Sequence, residues 1–407
     1  MIRKIETCDE TKEGGGAMDQ VQQGIIALLA AAVTGEQRPL PEEFALETAH
    51  DILCRQSLIP LAYQGAYLCG IPANSERMQQ YRGVYLQNLL RSERQMRAVE
   101  EIFHAFQARN IAYLPLKGCC MKALYPQPEM RVMGDADILI RPEQYPEIAA
   151  VMESLGFVFR REDDHVYDWY SDALHVELHK SLVPPRDEDY FSYFGDGWQR
   201  AVSQQGSRYA YSAEDTFVFL FSHFARHYRS AGIGCRHVVD LYVYLRANPG
   251  LDEAYLVSEL SKLHLLRFYD NVRRLLLVWF CGETADEITE LITAFVFSGG
   301  NWGTMEAGMY ANEVQKAKKR GQIHHSGYHA VMSALFPPKS SLTYRYTVLR
   351  KAPWLLPVIW VVRWTDILLL RRDNIKKRLG ILKSLNNDTI LTHRQAMEKV
   401  GLEEEKA

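Results

Sequence analysis

Several features that would place this chain in a special class of protein are missing from its sequence. Its 7 cysteines include no CxxC pair, which excludes a disulfide scaffold and favours reduced thiols in a cytoplasmic protein. The formal net charge is only −3, so the strongly basic character of a dedicated nucleic-acid binder is absent. The most apolar run, residues 354–370, is interrupted by Pro357, Arg363 and Asp366. We therefore predict no membrane-spanning helix.

What remains is an ordinary globular composition, with 47% hydrophobic and 24% charged residues in a chain of 407. At about 150 residues per domain, this length accommodates two or three domains. Hydrophobic periodicity and the positions of glycine and proline divide the chain into five segments. We predict a flexible tail at residues 1–20, a helical segment at 21–97, a mixed domain at 98–210, a helical domain at 211–300 and a helical, basic segment at 301–407.

The mixed domain has the pattern of an α+β fold. An apolar run of strand length covers residues 111–116 and is followed by a short helical piece. A second β-rich run covers residues 131–140 and is followed by an amphipathic helix. Two further strands are predicted at residues 157–160 and 173–179. This order of elements predicts a mixed sheet with helices packed on it.

Two carboxylates stand two positions apart in the second β-rich run. Asp135 and Asp137 would point to the same face of a strand and converge on one site. Hard oxygen ligands of this kind hold Mg²⁺, and two such ions about 3.5–4 Å apart clamp the oxygens of a phosphoryl displacement. A solvated strand edge is the alternative explanation of the same pattern.

The last predicted strand alternates strictly between polar and apolar residues. His175, Glu177 and His179 share one face, and Val176 and Leu178 share the other. If this strand lies beside the first acidic strand, Glu177 becomes a third carboxylate at the site. The same alternation also fits a strand with one solvated face, or a zinc site that uses both histidines.

Basic residues and a glycine accompany the acidic strands. Gly118 follows a strand and opens a short helix, where it permits close approach of a ligand to backbone N–H groups. Lys117 and Arg131 would add positive charge, and the arginine fork suits phosphate oxygens. Together these residues predict a phosphate-binding position next to the carboxylates.

The combination resembles a family of uncharacterised bacterial nucleotidyltransferases within the DNA polymerase β-like superfamily, over roughly residues 25 to 290. The matching segments are Leu116-Lys117-Gly118, Leu124-Tyr125-Pro126, Arg131-x-x-Gly134-Asp135-x-Asp137-Ile138-Leu139 and Val176-Glu177-Leu178-His179. The chain departs from the superfamily pattern after the glycine of the turn, where Cys119 stands in place of the usual serine or glycine.

The resemblance implies a minimal nucleotidyltransferase fold at residues 98–210 and transfer of a nucleoside monophosphate from an NTP such as ATP. By the same resemblance, the catalytic and metal-binding residues are Asp135, Asp137 and Glu177, with Mg²⁺ or Mn²⁺ as the cofactor. The resemblance places Gly118 at the triphosphate, and with Lys117 and Arg131, inferred above from their charge, it completes the predicted nucleotide-binding set. Two other functions stay open: glycosyl transfer from a nucleotide sugar at the same site, and nucleotide binding without catalysis.

The acceptor is not identified by any motif. We assign its side of the site to His179, His223, Arg236 and Asp240. Arg236 and Asp240 also have the i, i+4 spacing of a pair that would only stabilise their own helix. His223 and His227 also have the spacing of a two-histidine metal face, although such residues more commonly lie on the polar side of an amphipathic helix. The aromatic and basic residues from Trp354 onward fit either a buried C-terminal helix or peripheral contact with a membrane.

Overall fold

The computed structural model describes residues 18–230, 232–299, 336–342, 346, 348–370 and 387–402. The chain divides into two compact units. The first contains the described residues up to Tyr228, those from Gly232 to residue 299, and Val400–Leu402. All residues of the candidate site belong to this first unit.

Helices surround the sheet of the first unit in sequence. In the described part of the chain, four precede it: α1 (Gln20–Thr34), α2 (Leu46–Arg55), α3 (Ile59–Leu68) and α4 (Glu76–Ala108). Between the strands lie α5 (Lys117–Lys122), α6 (Tyr145–Ser154) and α7 (Glu188–Phe194). After the strands come α8 (Ala213–Ser230), α9 (Cys235–Ala247), α10 (Glu253–Lys262), α11 (Leu266–Cys281) and α12 (Glu287–Ser298).

Among the described residues, seven strands form one mixed sheet in the order β3-β4-β5-β2-β1-β7-β6. Their bounds are β1 Tyr113–Pro115, β2 Asp135–Ile140, β3 Val158–Glu162, β4 Val166–Tyr170, β5 His175–His179, β6 Val202–Gln205 and β7 Arg208–Ala210. The pairs β2–β5 and β1–β7 are parallel, and the other neighbours are antiparallel. The predicted α+β class is therefore confirmed.

One face of the central strands forms the hydrophobic core. Ala136, Ile138, Val176 and Leu178 are each 0% exposed and pack in one cluster with α4 and α6. Burying a valine, leucine or isoleucine side chain stabilises a fold by roughly 1.5–3 kcal/mol. Because successive strand residues point to opposite faces, this burial turns the polar residues between them toward the other side of the sheet.

The structure contains strands that the sequence reading missed. β4 carries Asp168 at its centre, which hides its strand character in a search for alternating or continuous apolar residues. In the fold Asp168 is only 1% exposed and is paired with Arg161 and His175. The missed hairpin β6–β7 lies at the sheet edge and exposes the side chains of β6.

The second unit contains the helices α13 (Lys339–Leu342), α14 (Val348–Lys351) and α15 (Leu356–Leu370) and most of α16 (Asn387–Val400). The helices that the structure describes include none with the length and apolarity needed to cross a bilayer. Most of the predicted N-terminal tail and the basic residues after Leu370 lie outside the described residues.

Five cysteines in the described part of the chain are free thiols: Cys54, Cys69, Cys119, Cys120 and Cys235.

Candidate active site

Parallel pairing of β2 and β5 brings the acidic residues together. In this register Asp135 is opposite His175, Asp137 is opposite Glu177, and Leu139 is opposite His179. Since residues two apart share a face, the two aspartates lie on the same side of the sheet as Glu177 and the histidines. The structure thus places Glu177 next to the aspartates, which the sequence predicted only on the condition that the two strands are neighbours.

The polar face offers two overlapping sets of metal ligands. In the first set, Asp135, His175 and Glu177 each present a ligand atom within 4.8 Å of the others. In the second set, Asp137, Glu177 and His179 do the same. Glu177 belongs to both, so one carboxylate can serve two neighbouring positions. The two histidines fall in different sets, which does not support a single zinc ion bound by both.

Hydrogen bonds hold the buried carboxylate of Asp137 in place. Its Oδ1 lies 3.0 Å from Nε2 of His179 and 3.2 Å from Nζ of Lys117. His179 Nε2 is also 3.5 Å from Oε2 of Glu177. At the start of β5, His175 Nε2 lies 3.3 Å from the buried carboxylate of Asp168 in β4. At metal sites, a histidine that binds the ion through one ring nitrogen commonly donates its other N–H to a carboxylate, which orients the ring.

The electrostatics of the cluster favour a bound cation. Burial and the neighbouring charges of Asp137 and Glu177 raise the pKa of Asp135 to about 6. Burial also acts to raise the pKa of Asp137, but Lys117 and His179 outweigh it and hold that pKa below its usual value. Lys117 and His179 therefore balance the negative charge of Asp137, whereas Asp135 is still repelled by the charges of Asp137 and Glu177. A divalent cation between the carboxylates would relieve that repulsion.

The turn from β1 into α5 approaches the acidic strand closely. Lys117 has a φ of 34°, a conformation that is uncommon for a residue with a side chain. A Cβ on Gly118 would lie 3.2 Å from the carbonyl oxygen of Asp135 and 3.3 Å from the Met133 side chain. Glycine at this position is thus what allows the turn to lie against the start of β2.

The three residues that lead into Gly134 are held by buried donors from three helices. Lys122 of α5 donates from Nζ to the carbonyl of Arg131 at 2.9 Å. Nη1 of Arg236 in α9 donates to the carbonyl of Val132 at 3.0 Å. Nε2 of Gln95 in α4 donates to the carbonyl of Met133 at 3.1 Å. We call residues 131–133 the entry segment, because they fix where β2 and its carboxylates begin.

The side chain of Arg131 makes a buried ion pair with α9. Its Nε and Nη2 donate to the two carboxylate oxygens of Asp240 at 2.8 and 2.9 Å. Tyr125 donates its hydroxyl to the same carboxylate at 2.7 Å. The Arg131 guanidinium, which the sequence analysis assigned to phosphate binding, is thus bound to the Asp240 carboxylate. A phosphate would have to compete with Asp240 for the same N–H groups.

The polar face of the sheet lines a cavity of about 260 Å³, and α8 and α9 form its opposite wall. Every residue that the sequence analysis assigned to the site borders this cavity: Lys117, Gly118, Arg131, Asp135, Asp137, Glu177, His179, His223, Arg236 and Asp240.

A family model described as an uncharacterised nucleotidyltransferase matches residues 42–281, more than half of the chain and all of these positions. The chain belongs to this nucleotidyltransferase family.

Comparison with curated proteins and with solved structures gives no significant match. Membership in the nucleotidyltransferase family therefore comes from the family model, and the geometry of the site comes from the fold.

This nucleotidyltransferase also has cavity residues that the sequence analysis did not assign. His165, Arg226 and His237 border the cavity. Gln95 and Lys122 lie outside it and donate hydrogen bonds to carbonyl groups of the entry segment. Each lies in or next to an ordinary helical or turn pattern, so sequence spacing alone gives no signal for it. Only the packing of α4, α5, α8 and α9 on the sheet brings these residues to the site.

Proposed function

We propose that this protein is a divalent-cation-dependent nucleotidyltransferase that transfers a nucleoside monophosphate from an NTP to a hydroxyl group of an acceptor. The acceptor oxygen attacks the α-phosphorus, the bond to the β-phosphate oxygen breaks, and pyrophosphate leaves. The hydroxyl proton passes to a nearby base. The observation that carries this proposal is the register that sets Asp137 opposite Glu177, with Asp135 on the same face, at the wall of a cavity.

The residues present fit a divalent ion. We assign Asp135, Asp137 and Glu177 as its ligands, because carboxylate oxygens suit Mg²⁺ and Mn²⁺. The adjacent His175 and His179 are donors that Mn²⁺ accepts more readily than Mg²⁺ does. When bound, such an ion neutralises charge on the phosphate oxygens.

The protein's own groups would position the substrates. Lys117, whose Nζ lies 3.2 Å from Asp137, adds positive charge where the phosphates would lie. Gly118 leaves room for the nucleotide, and His179 orients the Asp137 carboxylate by its hydrogen bond. We assign the acceptor to the wall formed by α8 and α9, which carries His223, Arg236 and Asp240 on the predicted acceptor side. A cytoplasmic location stays a prediction from the cysteine content.

The first test is Asp137→Asn. We expect this variant to lose detectable pyrophosphate release from NTPs and to bind Mn²⁺ at least tenfold more weakly, because it removes a charge at the centre of the ligand set. Pyrophosphate release is measured with a cell metabolite extract as the source of acceptor, and Mn²⁺ binding by electron paramagnetic resonance. Asp270→Asn, at an exposed position of α11, is the matched control. Unchanged Mn²⁺ affinity and turnover in a folded Asp137→Asn protein would contradict the proposal.

The same assay separates the other two functions. Incubation with labelled NTPs and labelled nucleotide sugars shows which label reaches the acceptor. A transferred sugar would indicate glycosyl transfer. Nucleotide binding without product under every metal would indicate a binding module.

A further inference from the structure

Three histidines from two helices form one cluster on the cavity wall that faces the carboxylates. His223 and His227 lie four residues apart on α8, and their ring centroids are 4.3 Å apart. His237 of α9 lies 6.4 Å from each of them by the same measure. We call these three residues the histidine wall. All three border the cavity.

The ring nitrogens of the histidine wall have no hydrogen-bond partner among the residues that the structure describes. Nδ1 of His237 is itself inaccessible to solvent. Buried polar groups in folded proteins are almost always hydrogen-bonded. The other ring nitrogens of these three imidazoles, which border the cavity, are therefore available to a ligand that enters it.

The charges around the wall are mainly positive. Burial lowers the pKa of His227 to about 3, and Arg226 and Lys117 add to that effect. Burial lowers the pKa of His223 well below its ordinary value, as do Lys117, His227, Arg226 and His237. Burial and Arg236 likewise lower the pKa of His237 well below its ordinary value. Asp137 acts in the opposite direction on His227, and Asp240 does so on His237, but each acts more weakly than the strongest neighbouring cation. The imidazoles are thus neutral N–H donors in a positive field, which attracts an anion and repels a cation.

The geometry also disfavours a metal bound by the three rings. Zinc binds imidazole nitrogens at about 2.0–2.1 Å, so its ligand atoms must lie close to one another. The described residues include no arrangement in which His223, His227 and His237 each present a ligand atom within 4.8 Å of the other two. A larger ligand with several acceptor oxygens can span the distances between these rings.

We propose that the histidine wall binds a phosphate-class oxyanion, which is either the polyphosphate of the nucleotide or an acidic group of the acceptor. This deepens the proposed function and depends on it for the identity of the anion. Neutral N–H groups of His223, His227 and His237 donate to the anion's oxygens, and Lys117 and Arg226 supply the attractive field. The carboxylates and the histidine wall then hold different parts of the substrates across one cavity.

The test is calorimetric titration of the metal-free, full-length protein with inorganic pyrophosphate. We expect His227→Asn and His237→Asn each to weaken pyrophosphate binding about tenfold or more. His104→Asn, at an exposed position of α4, is the matched control and should bind as the unmodified protein does. Unchanged affinity in folded His227→Asn and His237→Asn overturns the proposal. Stoichiometric zinc binding that both variants lose, without pyrophosphate binding by the unmodified protein, overturns it as well.

A second measurement needs no variant. Diethyl pyrocarbonate modifies accessible neutral imidazoles, and the modified residues can be mapped by peptide mass spectrometry. Pyrophosphate should protect His223, His227 and His237 severalfold, while His104 stays reactive. Equal modification with and without pyrophosphate contradicts the proposal even if the variants fail to fold.

Further titrations identify the source of the anion. If the wall holds the nucleotide's polyphosphate, His227→Asn lowers the affinity for a non-hydrolysable NTP with Mn²⁺. If it holds the acceptor's acidic group, NTP affinity is unchanged and inorganic phosphate still binds the NTP-loaded protein. Asp137→Asn separates this proposal from the enzymatic one, because it should lose Mn²⁺ binding and keep metal-free pyrophosphate binding.

Discussion

At the scale of single residues, Gly118 controls the distance between the β1–α5 turn and the acidic strand. Gly118→Ala would put a methyl group 3.2 Å from the Asp135 carbonyl oxygen, which belongs to the backbone and cannot rotate away. Strand β2 or the turn must shift, and the Asp135 carboxylate shifts with it. We expect about a tenfold loss of Mn²⁺ affinity, or about 1.4 kcal/mol, measured by electron paramagnetic resonance titration.

Gly83→Ala is the control for this substitution. Gly83 lies in α4, and a Cβ there would meet nothing within 4 Å. Alanine in a helix is favoured over glycine by up to about 1 kcal/mol, so this variant should be neutral or more stable and should bind Mn²⁺ normally. A similar loss of Mn²⁺ affinity in both variants would show that the close approach at Gly118 is not the cause.

Gln95 illustrates how a residue outside the cavity fixes the site. Its side chain is 2% exposed and donates to the carbonyl of Met133 in the entry segment. Gln95→Leu would leave that carbonyl without its donor, at a cost of roughly 1–3 kcal/mol in the free energy of unfolding. Because Met133 precedes Gly134 and Asp135, we also expect weaker Mn²⁺ binding by the folded variant. Urea unfolding and Mn²⁺ titration measure the two effects.

Gln87→Leu, at an exposed position on the same helix, is the control and should change neither quantity by much. Normal Mn²⁺ affinity in Gln95→Leu, together with lower stability, would limit the role of Gln95 to folding.

At the scale of secondary-structure elements, an ionic network ties helices α8 and α10 to the segment before β6. Arg200 donates to Asp215 of α8 and to Glu259 of α10, both at 2.8 Å. Glu259 is 5% exposed in its side chain and also pairs with Lys262 and Tyr193. Arg200 thus links α8 and α10 to the segment that leads into the edge hairpin β6–β7.

This network predicts a pH dependence of stability. Burial raises the pKa of Glu259, but the hydrogen bonds from Lys262, Tyr193 and Arg200 outweigh it and bring the pKa to about 2. A depressed carboxylate pKa stabilises the folded state above the ordinary value of 4.5, and the stabilisation is lost as the pH falls toward 2. The loss from this group is about 1–3 kcal/mol at 1.36 kcal/mol per pKa unit.

Urea unfolding at pH 7 and pH 3 measures this loss. We expect Glu259→Gln to show a smaller difference between the two pH values than the unmodified protein. Glu188→Gln, at an exposed position of α7, should keep the full difference. Equal pH dependence in all three proteins would remove Glu259 from the explanation.

At the scale of the whole molecule, the second unit presents an apolar surface on α15. Ile359 is buried against Leu342 and Leu349, whereas Trp354 just before the helix is 76% exposed and Val358 is 54% exposed. Exposed apolar patches mark interaction sites, and helices that lie on a membrane surface present aromatic and aliphatic residues to it. We expect the double variant Trp354→Ala, Val358→Ser to sediment less with anionic phospholipid vesicles than the unmodified protein.

Tyr67→Ala controls for the general loss of an exposed aromatic residue, since Tyr67 is 61% exposed in α3 of the first unit. The membrane contact is rejected if the unmodified protein fails to sediment, or if the double variant sediments equally well.

The sequence by itself determined the α+β class and which side chains of the acidic strands share a face. Strand periodicity is local: without any knowledge of the fold, it put Asp135 and Asp137 on one face of their strand and His175, Glu177 and His179 on one face of theirs. The turn at Gly118 was also recognisable, because glycine after a strand has a local meaning. Such features depend on residues a few positions apart, and that is the range over which sequence patterns carry information.

Only the tertiary structure decided which groups meet across the cavity. Glu177 lies beside Asp137 because β5 pairs in parallel with β2. Strand β4, which comes between them in sequence and pairs with the other edge of β5, could not be recognised from the sequence because Asp168 interrupts its apolar pattern. Arg131 pairs with Asp240, 109 residues away, and the histidine wall depends on how α8 and α9 pack. Long-range pairing is set by the burial of complementary faces over the whole domain. A local pattern shows which face a residue occupies, but not which face it will meet.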